Sequence, residues 1–212
     1  MIKHIKDIFP KELLQEIQTL VISLPYKEIP RTVLMQQIEG FCEWIDTIEY
    51  IQEIKPNVIQ LYNDYSSTIK FPFSEAEQLY NAFEYYLPDE FCNYTLRRFH
   101  VNCCSKIPEY PLTKHTTPHY DSPGNSTNEF KTILFYVNSC DGNTILFNEL
   151  GDYNIMCKDN KVNLSNINLT ICREQTPLEN SALIYSSDRI HAYRPPTVNE
   201  NRFVFNIVLE KN

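Results

Sequence analysis

The sequence predicts a mainly β domain, a sandwich or barrel, with a helical segment ahead of it. Two observations carry this. From Tyr94 onward apolar and polar residues alternate in short runs separated by turn-forming pieces, the pattern of many short strands at regular spacing. Before that point apolar residues recur at three- and four-residue steps, as on one face of a helix. At 212 residues with 42% apolar content, the chain is long enough for one domain with its own core.

The helical part divides into three stripes. Pro10 suits a first helical position. Leu13, Leu14, Ile17, Leu20, Val21 and Leu24 follow at helical spacing, and Pro25 ends the run. Leu34, Ile38, Phe41, Ile45 and Ile48 form a second stripe ending near Pro56, with Gly40 weakening the case for one unbroken helix. The third opens on Ser74-Glu75-Ala76-Glu77, which has the form of a capping box. Leu79, Tyr80, Phe83 and Leu87 share its apolar face, and Pro88 terminates it. Strands are expected over 94–103, 131–138, 143–147, 181–186 and 201–210. Turn-rich pieces lie between them, among them Ser122-Pro123-Gly124-Asn125 and Cys140-Asp141-Gly142-Asn143. There is no repeat, low-complexity tract or linker, so the helices are expected to pack on the outside of one sheet within the same domain.

Bulk properties narrow the function classes. A net charge of −8 argues against a nucleic-acid partner held mainly through phosphates. The first residues mix charged with single apolar side chains, which is not the pattern of a signal peptide. No run is long enough to span a bilayer. Seven irregularly spaced cysteines then read as reduced thiols in a cytoplasmic setting. Scarce Gly beside abundant Asn, Ile and Tyr suggests an AT-rich genome, a viral one among the options. The oligomeric state leaves no trace in the sequence.

The chemistry concentrates in His119-Tyr120-Asp121, answered far downstream by His191 and Arg202. Side chains two apart on an extended chain point to one face, so His119 and Asp121 can reach a common point. Pro118 disfavours helix at Thr117, so the segment arrives extended. A second imidazole, from His191, would complete two histidines and one carboxylate. That set holds one face of a ferrous ion and leaves the other positions open for oxygen and substrate. Arg202 begins a strand in which residues 202, 204, 206 and 208 share a face. A cation inside a barrel is costly without an anion, and a dicarboxylate cosubstrate would supply one, gripped by the guanidinium fork. Plainer readings exist for each residue: a surface histidine for His191, a core aromatic for Tyr136, an ordinary salt bridge for Arg202.

Here the chain resembles the Fe(II)- and 2-oxoglutarate-dependent oxygenases, in their prolyl-hydroxylase-like branch. The resemblance spans about Tyr94 to Glu210. It rests on PHYD, KTILFYVNSCDGNTILFNE and SALIYSSDRIHAYRPPTVNENRFVFNIV, in that order. It implies a double-stranded β-helix, or jelly roll, over 91–212, with 1–90 as a helical support segment in a single oxygenase domain. It implies iron ligation and catalysis by His119, Asp121 and His191, and 2-oxoglutarate anchored by Arg202 with help from the Tyr136 hydroxyl. Where that family has a Gly-Gly turn, only Gly142 stands here. Fe(II), 2-oxoglutarate and dioxygen are the implied cofactors and cosubstrates, with ascorbate as reductant. The implied reaction is hydroxylation of a C–H bond, with a peptidyl, prolyl-like substrate as the leading class. Arg194, Tyr120 and Asn206 are candidate substrate contacts. The segments 108–118 and 122–129 flank the ligands and are candidates for the mouth.

Other readings have less behind them. A free small molecule or a nucleobase are the rival substrates. His100, Cys103, Cys104 and His115 supply zinc-type donors, but adjacent cysteines rarely share one ion and no Cys-x-x-Cys occurs, so core thiols explain them better. A silent sugar- or metal-binding jelly roll has no need of an inward arginine. A docking role for the helical third is explained more simply by packing.

Overall fold

The computed structural model describes residues 2–23, 27–28, 49–51, 74–116, 118–121, 129–151, 157–158, 161–162 and 168–212. Helix α1 (Lys11–Ser23) begins just after Pro10 and buries Leu14, Ile17 and Val21. Helix α2 (Ser74–Tyr85) buries Leu79, Tyr80 and Phe83. Leu24, Pro25, the stripe from Leu34 to Ile48 and the side chains of the Ser74 capping box lie outside the described residues.

The strands, numbered in chain order, form two main antiparallel sheets. The larger runs β1 (Lys3–Lys6), β10 (Ser181–Ser186), β5 (Phe130–Tyr136), β12 (Asn201–Lys211), β4 (Tyr94–Ser105), β3 (Glu49–Ile51), β2 (Lys27–Glu28). The smaller runs β11 (Arg189–Tyr193), β6 (Thr144–Leu150), β9 (Ile171–Gln175). Strands β7 (Cys157–Lys158) and β8 (Lys161–Val162) pair with each other.

Alternation along the strands sorts the side chains onto two faces. Ile133 and Phe135 of β5, Phe205 and Ile207 of β12, and Ala182 and Ile184 of β10 point outward. There they bury Phe9, α1 and α2 in one apolar cluster. Phe9, Phe83 and Phe135 meet edge-on, with ring centroids 5.1 to 6.0 Å apart. The residues between them, Leu134, Tyr136, Leu183, Tyr185 and Val204, point inward and meet Leu146 of the smaller sheet. The expected jelly roll with helices on the outside of one sheet is therefore present. Its chamber between the sheets holds the candidate site.

Among the described residues, three short pieces of the first third are strands rather than helix. Strand β1 pairs with the edge of β10, and β3 adds to β4 opposite Asn102–Cys104, so stretches expected to support the core instead extend its sheet. Such short edge strands depend on a partner edge rather than on local pattern, which is why the helical reading of this region missed them. Strands β9 and β11 likewise lie outside the five expected strand ranges. The exposed edge strand β9 lacks alternation, and β11 is a short piece directly after a polar turn. Cys103 and Cys104 are adjacent on β4 and so face opposite sides of the sheet. Burial pushes the Cys103 thiol up to about 11, in keeping with a core thiol. Among the described residues no helix is long and apolar enough to cross a membrane.

Candidate metal centre

His119 and His191 are held to each other by their backbones. The His119 N–H donates to the His191 carbonyl at 2.9 Å and the His191 N–H returns the bond at 2.8 Å. This isolated antiparallel bridge extends the chain at His119. The Asp121 N–H donates to the Ser187 carbonyl at 2.9 Å, which fixes the residue two positions on. The ring centroids of His119 and His191 lie 4.3 Å apart. One donor atom from each of His119, Asp121 and His191 falls within 4.8 Å of the others. The three predicted ligands therefore converge, and they form the one such cluster found among the described residues.

The protonation pattern of the cluster suits a cation. His191 Nδ1 lies 3.0 Å from the Arg189 carbonyl. A carbonyl only accepts, so Nδ1 carries the proton and Nε2 keeps its lone pair. Nε2 is also the atom turned toward Asp121 Oδ2, at 3.6 Å. Burial, followed by the neighbouring His119, pushes the His191 imidazole down to about 4, with Asp121 pulling the other way. Burial would raise the Asp121 carboxyl, but the Arg98 guanidinium and the two imidazoles outweigh it and hold the carboxyl well below the usual range. At neutral pH the site therefore presents a carboxylate and a neutral imidazole, the forms that ligate divalent metals.

Both oxygens of Asp121 are anchored. Oδ1 accepts from Arg98 Nη2 in a close ion pair. Oδ2 accepts from Thr132 Oγ1 at 2.8 Å, and Thr132 in turn meets Ser187 Oγ at 2.9 Å. Because a carboxylate cannot donate, the Thr132 proton belongs to Asp121 and the serine donates to the threonine. Arg98 Nη2 also donates to Asn206 Oδ1 at 3.0 Å. Asn206, expected as a substrate contact, stands beside the site and holds the arginine that holds the ligand.

Along β6 the chamber continues from Leu146, which pairs with His191, to Thr144, which pairs with Tyr193. Two residues of strand separate these positions by about 7 Å. Arg202 lies at the Thr144 end, 5% exposed. Its Nε donates to the Gly142 carbonyl at 2.9 Å and its Nη2 to Thr144 Oγ1 at 2.8 Å. The Tyr136 hydroxyl donates to the same Thr144 oxygen at 2.9 Å, and burial pushes that phenol up to about 12. The guanidinium carbon lies 5.0 Å from the Tyr193 ring centroid and 5.8 Å from that of Tyr136. Among the described residues no carboxylate pairs with Arg202. A buried cation with aromatic walls and neutral acceptors is still short of an anion.

Gly142 allows this arrangement. A Cβ there would lie 2.8 Å from the Arg194 carbonyl and 3.0 Å from Arg202 Cδ. The turn itself is pinned by Asp141, whose carboxylate accepts from the N–H groups of Thr197, Val198 and Asn199 at 2.7 to 3.1 Å.

Two candidates stand apart from the chamber. Arg194 forks onto Glu174 at 2.6 and 2.9 Å and reaches the Lys114 carbonyl. Tyr120, between the two ligands, faces the opposite way, packing against Ile145, Phe147, Ile190 and Ala192 and over Gly151. Sequence reasoning did not single out Arg98, Thr132, Thr144 or Tyr193. Only Tyr193 left a local signal, being two residues beyond His191 on the same strand face. Most of the proposed mouth loop, residues 122–128, lies outside the described residues.

No protein-family model and no curated protein matches this sequence. Solved structures do match its fold. The fold is that of known 2-oxoglutarate and iron oxygenases. A 2OG-Fe(II) oxygenase family oxidoreductase from Burkholderia pseudomallei matches with a TM-score of 0.60 at 15% identity, covering 98% of this chain and 84% of that one. The α-ketoglutarate-dependent epimerase SnoN of nogalamycin biosynthesis matches at 0.56 and 11% identity, over 98% and 76% of the two chains. A Trichoplax adhaerens prolyl hydroxylase, solved with a peptide fragment of the hypoxia-inducible factor oxygen degradation domain, matches at 0.51 and 12%, over 99% and 83%.

Proposed function

We propose that the chain is an Fe(II)- and 2-oxoglutarate-dependent dioxygenase that hydroxylates a C–H bond. One observation carries the reading: a His–Asp–His cluster shares a chamber with a buried arginine that has no carboxylate partner among the described residues. The donor set fits Fe(II), with two imidazole nitrogens and one carboxylate oxygen. The separation of the two ends fits a short dicarboxylate that meets the metal at one end and a guanidinium at the other.

In this reading His119, Asp121 and His191 hold the metal. Arg98 and Thr132 keep the Asp121 carboxylate oriented, and the Arg189 carbonyl keeps the His191 lone pair on Nε2. Arg202 receives the distal carboxylate of 2-oxoglutarate, with its remaining donors free of Gly142 and Thr144. Leu134, Leu146, Leu183 and Val204 keep the chamber dry. Iron, when bound, supplies the redox chemistry that couples oxidative decarboxylation of 2-oxoglutarate, to succinate and carbon dioxide, with insertion of one oxygen atom of dioxygen into the substrate C–H bond.

A peptidyl, prolyl-like side chain is the leading substrate class. It is supported by the fold shared with a prolyl hydroxylase solved on a peptide and by His119 being exposed, which opens the metal end of the chamber to solvent. A free small molecule is the second reading. SnoN, which shares the fold at a TM-score of 0.53 in its complex with Fe3+, α-ketoglutarate and nogalamycin RO, favours it.

The test supplies the protein with Fe(II), 2-oxoglutarate and ascorbate and measures succinate. Turnover is expected from the wild type and none from His191→Ala, while Arg202→Ala should chiefly raise the 2-oxoglutarate concentration required. Undiminished turnover by His191→Ala would refute the ligand assignment. Mass spectrometry of candidate peptides and of small-molecule extracts, scored for one added oxygen atom, separates the two substrate classes.

A further inference from the structure

Tyr185 is an anomaly in the chamber wall. It stands on β10 opposite Thr132 of β5, on the inward face beside Leu183, Leu134 and Tyr136. Its side chain is completely buried. Its ring lies 5.2 Å, centroid to centroid, from that of His191. Thr132 opposite it bonds Asp121, so Tyr185 adjoins two of the three metal ligands. It is also within electrostatic reach of Arg202 at the far end of the chamber. Yet among the described residues its hydroxyl has no hydrogen-bond partner.

Packing alone does not call for a tyrosine here. A phenylalanine ring would fill the same apolar surroundings without stranding a polar group, and a buried hydroxyl lacking a partner costs free energy. A tyrosine in such a place points to a partner that arrives with a ligand. A neutral phenol carries its proton at physiological pH, and that donor is satisfied only by an acceptor. The other inward groups divide the chamber into a metal end, where Tyr185 stands, and an arginine end, served by Arg202, Thr144 and Tyr136.

We propose that the Tyr185 hydroxyl donates a hydrogen bond to an oxygen at the keto-acid end of bound 2-oxoglutarate. This rests on the function proposed above and adds a ligand-binding residue to it.

The experiment compares the wild-type chain with Tyr185→Phe. Calorimetric titration of 2-oxoglutarate is made on protein loaded with Mn(II) as a redox-silent probe, alongside a Mn(II) titration and a thermal melt of the metal-free protein. In Tyr185→Phe the 2-oxoglutarate dissociation constant should rise on the order of tenfold, the value of one hydrogen bond to a charged acceptor. Mn(II) affinity should stay within about twofold, and the metal-free melting temperature should hold or rise, because a stranded hydroxyl has been removed. Equal 2-oxoglutarate affinity in the two proteins would overturn the inference and leave the proposed function standing. So would a clear drop in the metal-free melting temperature, which would show that the hydroxyl has a partner within the protein. Failure of the wild type itself to bind 2-oxoglutarate with Mn(II) present would overturn both.

Discussion

The metal-free protein is expected to lose stability as the pH falls from 6.5 toward 4, and His191→Gln to abolish most of that loss. His191 is buried, and burial together with the adjacent His119 pushes its imidazole down to about 4. In the unfolded chain the same imidazole takes up its proton near 6.5. Above pH 6.5 it is neutral in both states and contributes nothing. Between 6.5 and 4 the unfolded chain binds more protons than the folded one, so falling pH favours unfolding. Below 4 both states are protonated and the full cost has been reached. The gap between 6.5 and about 4, at about 1.4 kcal/mol for each pH unit, amounts to about 3 kcal/mol. That is a large share of the 5–15 kcal/mol or so by which a domain is folded. Asp121 does not blur the window. Its carboxyl is held below the ordinary 3.8, so its contribution, present above that value, disappears only at lower pH. Urea unfolding of chelator-treated protein, followed by circular dichroism between about pH 7.5 and 4.5, gives the two stability curves. Parallel curves for wild type and His191→Gln would refute the reasoning, since the acid loss would then come from other groups.

Two further outcomes follow from the same geometry. Arg98→Leu removes the cation on Asp121 Oδ1 and leaves a buried carboxylate uncompensated. It should cost about 3–5 kcal/mol in metal-free urea unfolding and weaken Mn(II) binding about 10- to 100-fold, whereas an unchanged midpoint would show the pair to be dispensable. Gly142→Ala places a Cβ against the Arg194 carbonyl and Arg202 Cδ. It should cost about 1–3 kcal/mol and raise the 2-oxoglutarate dissociation constant while Mn(II) affinity holds, and parallel titrations of the two ligands check the split.

The parts of this protein legible in the sequence are those that local geometry decides. Five of the strands were expected within a few residues of where they lie, because alternation is a property of one strand and needs no partner. Helix α1 and the buried face of α2 follow from helical spacing in the same way. His119 and Asp121 share a face because they are two apart on an extended chain. A buried arginine asking for an anion was likewise readable at Arg202, once its strand was seen to lie inside the domain.

What the chain alone did not reveal is whatever depends on register between strands distant in sequence. Nothing local in Arg98 or Thr132 announces that pairing sets them against the two oxygens of Asp121. Thr144 becomes the shared acceptor for Arg202 and Tyr136 only because the smaller sheet folds over the larger. The outward turn of Tyr120, the capture of Arg194 by Glu174 and the recruitment of residues 3–6 and 49–51 as strands are decisions of the same kind. The sequence by itself determined which groups each strand offers to the chamber. The tertiary structure decided which of them meet, because cross-strand neighbours are set by the pairing of whole elements, and a shift of one residue would turn every side chain to the other face.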